Sequence, residues 1–198
     1  MTARRCGGLW RFAALLAGGA CAHPSPGAAS DPVEIERREI TYSVNPMSAA
    51  DLQRSISDQW RCAGGDCKTG ETAWRLLWNF STVPRSPTLC AMTSVHVKLD
   101  VTVTVPRWDP PAGTSSARRQ WWFNIESSLS KHEYEHVRIA EDGAHAIASA
   151  LQPLTAPDCR TLAANAETAA RRAEDDMKAA QAAFDASQGV MQITPPPP

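Results

Sequence analysis

The chain has 198 residues, 43% of them hydrophobic, which is enough for one domain with a sizeable core. Its formal net charge of -1 excludes the basic surface that nucleic-acid-binding proteins carry, so we expect no nucleic-acid partner. Beyond the N-terminus no apolar run approaches the length of a membrane-spanning helix, so the mature chain is predicted to have no transmembrane span.

Residues 1–30 have the pattern of a signal peptide followed by a linker. Arg4 and Arg5 form a charged start, an apolar stretch runs from Leu9 to Ala17, and small residues follow, including Ala20-Cys21-Ala22. An A-x-A triplet of this kind is a typical cleavage site, so the protein is predicted to be secreted or periplasmic. The alternative is a lipid anchor at Cys21, which would make the mature protein a membrane-anchored lipoprotein.

Three strands are predicted before the long helices. The first covers Ile40–Val44, and Ser48 then caps a helix whose apolar residues recur every four positions. The second covers Trp74–Phe80. The third is the clearest, because valine and leucine alternate with polar residues throughout Ser94–Val105, which predicts one buried and one wet face. His96 lies on the wet face, where we expect an ordinary surface residue.

Four cysteines remain after the signal peptide: Cys62, Cys67, Cys90 and Cys159. An even set in an oxidising compartment favours disulfides, and four cysteines allow three pairings. The flexible turn Ala-Gly-Gly-Asp between Cys62 and Cys67 suits a local bridge, which leaves Cys90 to pair with Cys159. A four-thiolate zinc site is the alternative, although the paired CxxC spacing typical of such sites is missing.

A long apolar-periodic segment from about Trp121 to Leu151 predicts a helix that contains an HExxH motif. Histidines four residues apart lie one above the other on a helix, so His132 and His136 can bind one Zn²⁺. Glu133 points about 100° away around the helix, where it can act as general base toward a water that the metal activates. A lone histidine on a buried face is more often a hydrogen-bonded core residue, but the complete motif is rare by chance.

Pro153 and Pro157 interrupt the chain before a second helix, predicted from about Asp158 to Ser187, with an Ala-rich stripe along one side. The short connection predicts an antiparallel helical hairpin. The fold class is therefore predicted as α+β, with a small, mostly antiparallel sheet packed against the HExxH helix and an antiparallel C-terminal helix. The domain is predicted to span residues 33–187, and the Pro-rich residues 188–198 are predicted to form a disordered tail.

Several residues occur in a recognisable order and spacing: Tyr42-x-Val44, Trp74 and Trp78, Cys90, Pro106-x-Trp108, Trp121, the HExxH motif and Cys159-x-x-Leu162. In these residues, which span most of the mature chain, the protein resembles a bacterial family described as predicted secreted zinc-dependent proteases. The resemblance implies a zincin-like α+β fold in which His132 and His136 bind zinc and Glu133 is the base. The family pattern also has a Tyr-Asp pair and a later Thr-x-His-Gly segment. Phe184-Asp185 matches the pair, but no histidine follows it between Ser187 and Met191.

A catalytic zinc site needs a third protein ligand, and we expect it on the second helix. If the hairpin turns near Leu154, His136 lies opposite the region of Arg172. The carboxylate nearest in height is then Glu174, which is the first candidate. Asp185 is second because its neighbourhood matches the family pattern, and Glu167 lies on the same flank. For each of these carboxylates, a solvated surface role is the alternative.

The predicted function is a secreted zinc-dependent metallopeptidase with Zn²⁺ as cofactor and a peptide or protein as substrate. The polar edge of the third strand is expected to pair with an extended substrate. Two alternatives stay open: a non-catalytic envelope protein that retains the fold, and a metal amidase that acts on a cell-wall substrate.

Overall fold

The computed structural model describes residues 31–45, 48, 50–52, 54–55 and 69–188. The signal peptide, Cys21, the Cys62–Cys67 bridge and residues 189–198 of the predicted tail lie outside the described residues and stay predictions. The main elements are β1 (Val33–Ser43), β2 (Glu71–Ser86), β3 (Leu89–Arg107), α1 (Ser116–Leu151), β4 (Thr155–Ala156) and α2 (Cys159–Gln188). The predicted α+β class is confirmed. No helix in the described ranges is long and apolar enough to cross a membrane.

The sheet is mixed, with β3 as its central strand in the order β1-β3-β2. β2 forms a long antiparallel hairpin with β3, and the short strand β4 pairs antiparallel with Cys90 and Ala91. β1 pairs with β3 in parallel, with Val33 beside Val97. Two of the three pairings are therefore antiparallel, as expected. β1 also starts seven residues earlier than predicted, because its first half pairs with β3 despite its many charged side chains.

The predicted two-faced character of β3 is confirmed. Its apolar residues turn toward the helices and are at most 7% exposed: Val97, Leu99, Val101, Val103 and Val105. Because side chains alternate between the faces of a strand, the intervening polar residues lie on the opposite face. His96 is one of them and lies near Glu34 on β1, with 3.4 Å between Nε2 and Oε2. The surface role expected for His96 agrees with this position.

α1 crosses the buried face of the sheet and carries the HExxH motif near its middle. It begins after Ser115, whose side chain accepts a hydrogen bond from the backbone N–H of Arg118, which otherwise lacks a helical partner. Near this end, Trp121 and Trp122 pack with Trp108 in a separate apolar cluster. The second half of α1 packs on β3 and α2 in the main core. Packing of α1 on both sides of the motif therefore fixes the position of the motif beside the sheet.

α2 returns along α1, and its first residue is joined to the sheet. Cys159 forms a disulfide with Cys90 of β3, as predicted. Next to the bridge, Cys90, Ala156 and Leu162 form a small buried cluster. The bridge, the cluster and β4 together determine where α2 starts relative to the sheet.

The two helices are in close contact at Gly143. A Cβ atom at this position would lie only 2.8 Å from Cβ of Met177 and 2.6 Å from its Cγ. We therefore expect Gly143→Ala to lower the free energy of unfolding by about 1–2 kcal/mol in urea titrations. Alanine is the better helix former by about 1 kcal/mol, but Cβ of Met177 cannot rotate away from the clash.

A double-variant cycle tests this explanation of the Gly143→Ala effect. If the clash is responsible, the loss in Gly143→Ala/Met177→Ala should be smaller than the sum of the two single losses, because alanine at position 177 removes Cγ and Sδ, the two closest of the three clashing atoms, and leaves only Cβ. Additive losses, or a stabilised Gly143→Ala protein, would contradict the contact.

Candidate metal centre

Three potential metal ligands meet between α1 and α2. The Nε2 atoms of His132 and His136 are 3.2 Å apart, as one helical turn allows. From α2, Oδ1 of Asp185 lies 2.8 Å from Nε2 of His136 and 3.4 Å from Nε2 of His132. One ligand atom from each residue lies within 4.8 Å of the other two, and the described ranges contain no other group of this kind.

Glu174, the first candidate for the third ligand, is not part of this group. Its carboxylate instead lies 2.9 Å from Nζ of Lys178. Glu167 likewise is engaged elsewhere, since it accepts a hydrogen bond from the indole N–H of Trp78 at 3.2 Å. The structure therefore favours the second candidate, Asp185.

The choice of Glu174 depended on the predicted register of α2 against α1, and that register was wrong. His136 lies beside Gln181, nine residues further along α2 than the region of Arg172. The prediction assumed a turn near Leu154. Instead, the chain joins the sheet as β4 after α1 and begins α2 only at Cys159. The residues of α2 are therefore shifted along α1, and a residue later in the sequence than predicted lies beside His136.

Two α2 side chains hold the histidines in place. The amide of Gln181 contacts His136 twice: its Nε2 donates to the backbone carbonyl oxygen at 3.0 Å, and its Oε1 lies against ring Nδ1. The ring of Phe184 packs against both His132 and His136, with 5.0 Å between ring centroids in each case. The histidine rings are therefore restrained from the α2 side.

Glu133 is buried beside the histidines, with 4% of its surface exposed. The hydroxyl oxygen of Thr72 on β2 lies 2.8 Å from its Oε2 and 3.0 Å from its backbone carbonyl oxygen. Burial raises the pKa of Glu133, and the hydrogen bond from Thr72 partly opposes this shift. On the other side, a Cβ atom at Gly70 would lie 2.6 Å from Oε1, so only glycine leaves room for the carboxylate.

A cavity of about 580 Å³ opens onto these groups. The first residues of β2, the middle of α1 and the end of α2 form its walls, with Trp74 and Leu129 as its main apolar contributions. His132, His136, Asp185 and Glu133 all line it, and none of the described lining residues is a lysine or arginine. The potential ligands are therefore reachable from solvent, and no lysine or arginine in the part of the chain that the structure describes lines the cavity to compete for them.

The donor set fits a zinc ion. Catalytic zinc sites use three protein ligands drawn from imidazole nitrogens, thiolates and carboxylate oxygens, and they keep one position open. Two imidazole nitrogens and one carboxylate oxygen converge here at the wall of a cavity. His132, His136 and Asp185 are therefore the residues that could hold the metal.

The family model described as "Bacterial protein of unknown function (DUF922)" matches residues 40–192, which include every residue of this site. The chain belongs to the DUF922 family. A search of curated proteins gave no match, and a search of solved structures also gave none. The family description names no activity, so the zinc-dependent protease implied by the sequence resemblance stays a prediction.

Three residues of this DUF922 site were missed by the sequence analysis. Gln181 did have a signal, because it lies four residues before Asp185 and therefore on the same side of α2. Thr72 on β2 and Gly70 just before β2 had none, since both lie about sixty residues before Glu133 and only the packing of this part of the chain against α1 brings them to it.

Proposed function

We propose that this DUF922 protein is an exported zinc-dependent hydrolase, and specifically a metallopeptidase. The observation that carries the proposal is the convergence of three zinc-type ligands beside a buried glutamate in one cavity. His132, His136 and Asp185 would hold the metal. When bound, Zn²⁺ supplies a Lewis acid that polarises a carbonyl group and lowers the pKa of water.

Glu133 is the proposed general base. Its carboxylate lines the same cavity as the ligands, so it can take a proton from the attacking water and return it to the leaving amine. Burial raises its pKa toward the neutral range, where a carboxylate is a more effective base. The contact with Thr72 and the close approach of Gly70 restrict the rotation of the side chain. The carboxylate is therefore held in one orientation, which favours proton transfer.

A peptide substrate is supported by the edge of the sheet, although not the edge that the sequence predicted. The expectation for β3 was wrong, because β1 and β2 occupy both of its sides. β2 pairs only with β3 in the described part of the chain, and its residues Glu71, Thr72 and Trp74 line the cavity. An extended peptide can add to an edge strand through main-chain hydrogen bonds, and at β2 it would pass the candidate ligands.

Zinc titration of matched variants tests the ligand set. We expect Asp185→Ala to weaken zinc binding by at least about 100-fold, since even the loss of a residue that only supports a ligand costs 10–100-fold. Glu174→Ala should bind like wild type, because that carboxylate pairs with Lys178 instead. Competition with a chromophoric chelator measures both affinities on the purified mature protein.

The same titration can contradict the proposal. Zinc-free wild-type protein that binds no zinc would remove its basis. Wild-type affinity in Asp185→Ala together with a large loss in Glu174→Ala would leave a zinc site but reassign its third ligand.

A further inference from the structure

We propose that Gln181 is a positioning residue that keeps the proton of the His136 ring on Nδ1 and so presents Nε2 to a metal. This inference rests on the proposed zinc site, but its main readout is taken on the metal-free protein. Gln181 itself is not a ligand, because both of its amide atoms are already engaged by His136.

The orientation of the Gln181 amide follows from its two partners. The backbone carbonyl oxygen of His136 can only accept a hydrogen bond, so the amide group that faces it at 3.0 Å must be the NH₂ group. The amide oxygen must then face ring Nδ1. Because this oxygen can only accept, Nδ1 must be the donor and must carry a proton.

The position of this proton determines what Nε2 can do. A neutral imidazole carries one N–H, so Nε2 of His136 keeps its lone pair. That lone pair points to the space where Oδ1 of Asp185 and Nε2 of His132 lie 2.8 and 3.2 Å away. Without a metal, Oδ1 of Asp185 is a second acceptor that competes with Gln181 for the ring proton, so the effect of Gln181 alone is measured with this carboxylate removed. With the opposite tautomer, a proton would occupy the position of the metal. A partner that fixes the tautomer of a metal-binding histidine commonly contributes 10–100-fold in affinity.

The geometry of α2 supports this role. Gln181 and Asp185 are one helical turn apart, so the same face of α2 supplies both the tautomer-fixing amide and the third ligand. Phe184, on the same face, packs against both histidine rings and limits their rotation. Any displacement of α2 would therefore move the ligand and its supporting groups together.

Two substitutions of Gln181 separate its two hydrogen bonds. Gln181→Leu removes both of them. Gln181→Glu keeps an acceptor for Nδ1–H and loses only the donor to the backbone carbonyl. Asn165→Leu, at an exposed position of α2, is the control for an apolar replacement on this helix.

Nitrogen-15 NMR of the ring nitrogens gives the tautomer directly when it is recorded at alkaline pH on metal-free protein in which Asp185→Ala removes the competing acceptor. In this background we expect Nδ1–H with Gln181 unchanged, with Gln181→Glu and with Asn165→Leu, and a substantial Nε2–H population with Gln181→Leu. Zinc affinity should fall about 10–100-fold in Gln181→Leu and stay at or above the wild-type value in Gln181→Glu.

An unchanged tautomer and affinity in Gln181→Leu would overturn the inference. An equal loss of affinity in Gln181→Glu and Gln181→Leu would also overturn it, because the backbone contact would then be the important one. Failure of the proposed zinc site looks different, since the wild type itself would not bind zinc while the tautomers would still follow the predicted order.

Discussion

Replacing Glu133 by glutamine is expected to lower the rate of peptide hydrolysis by roughly 10²–10⁴-fold, the usual contribution of a general base. Glutamine has the same shape but does not accept a proton at neutral pH. Its amide oxygen can still accept the hydrogen bond from Thr72, so the side chain should stay in place. The comparison uses initial rates on a peptide library, with wild type and variant both loaded with zinc.

The fold should survive this change. A group whose pKa is raised by burial contributes stability below its unfolded-state pKa and loses that contribution as the pH rises through the folded-state value. Above its folded-state pKa, the ionised Glu133 therefore opposes folding of the metal-free protein, and glutamine removes this cost. A thermal midpoint at least equal to that of wild type at pH 7 is the expected control result.

Glu135→Gln is the matched variant. Glu135 is only two residues further along α1, but its carboxylate pairs with the guanidinium group of Arg138 at 3.0 Å on the exposed side of the helix. Its replacement should leave the hydrolytic rate nearly unchanged. If both glutamine variants lose activity equally, Glu133 has no special role in the reaction.

Removing the Cys90–Cys159 disulfide is expected to lower the free energy of unfolding by about 4 kcal/mol, the loop-entropy estimate for two cysteines 69 residues apart. The double variant Cys90→Ala/Cys159→Ala suits this test, because Cys90 is buried among apolar side chains and alanine leaves no unpaired polar group there. Urea denaturation of the oxidised wild type and the variant gives the difference.

Reduced wild-type protein is the control for the disulfide variant. Its stability should match that of the double variant under the same reducing conditions, because the predicted Cys62–Cys67 bridge is then open in both proteins and neither has the 90–159 link. A loss below about 1 kcal/mol in both would show that the bridge does not restrain the unfolded chain in the way the entropy estimate assumes.

Local sequence patterns predicted which segments form strands and helices better than they predicted which segments lie side by side. The alternation in β3 and the 3.6-residue period of α1 identified the buried faces, because each pattern reports directly on which side of an element faces the core. The parallel partner of β3 and the position of β2 at the edge of the described sheet could not be obtained in this way. They depend on pairings between segments that are far apart in the sequence, and no local period records those pairings.

The residues of the candidate site show the same difference between local motifs and long-range contacts. His132, Glu133 and His136 lie within five residues on one helix, so the HExxH motif alone predicted them. Asp185 depends on how far the chain travels between α1 and α2, and the two residues of β4 changed that distance. A hairpin drawn from helix lengths alone therefore selected Glu174, eleven residues before Asp185.

The helical hairpin is fastened at opposite ends by two different kinds of link. At one end the covalent bridge ties the first residue of α2 to the sheet, and near the other end Asp185 faces the two histidines of α1. A bound cation would join the two helices there, so metal affinity and the packing of the last turns of α2 on α1 would be thermodynamically linked. Both links form only under particular external conditions, since the disulfide needs an oxidising environment and the metal site needs a supply of metal. An exported chain that meets both conditions would complete its candidate metal centre only at its destination.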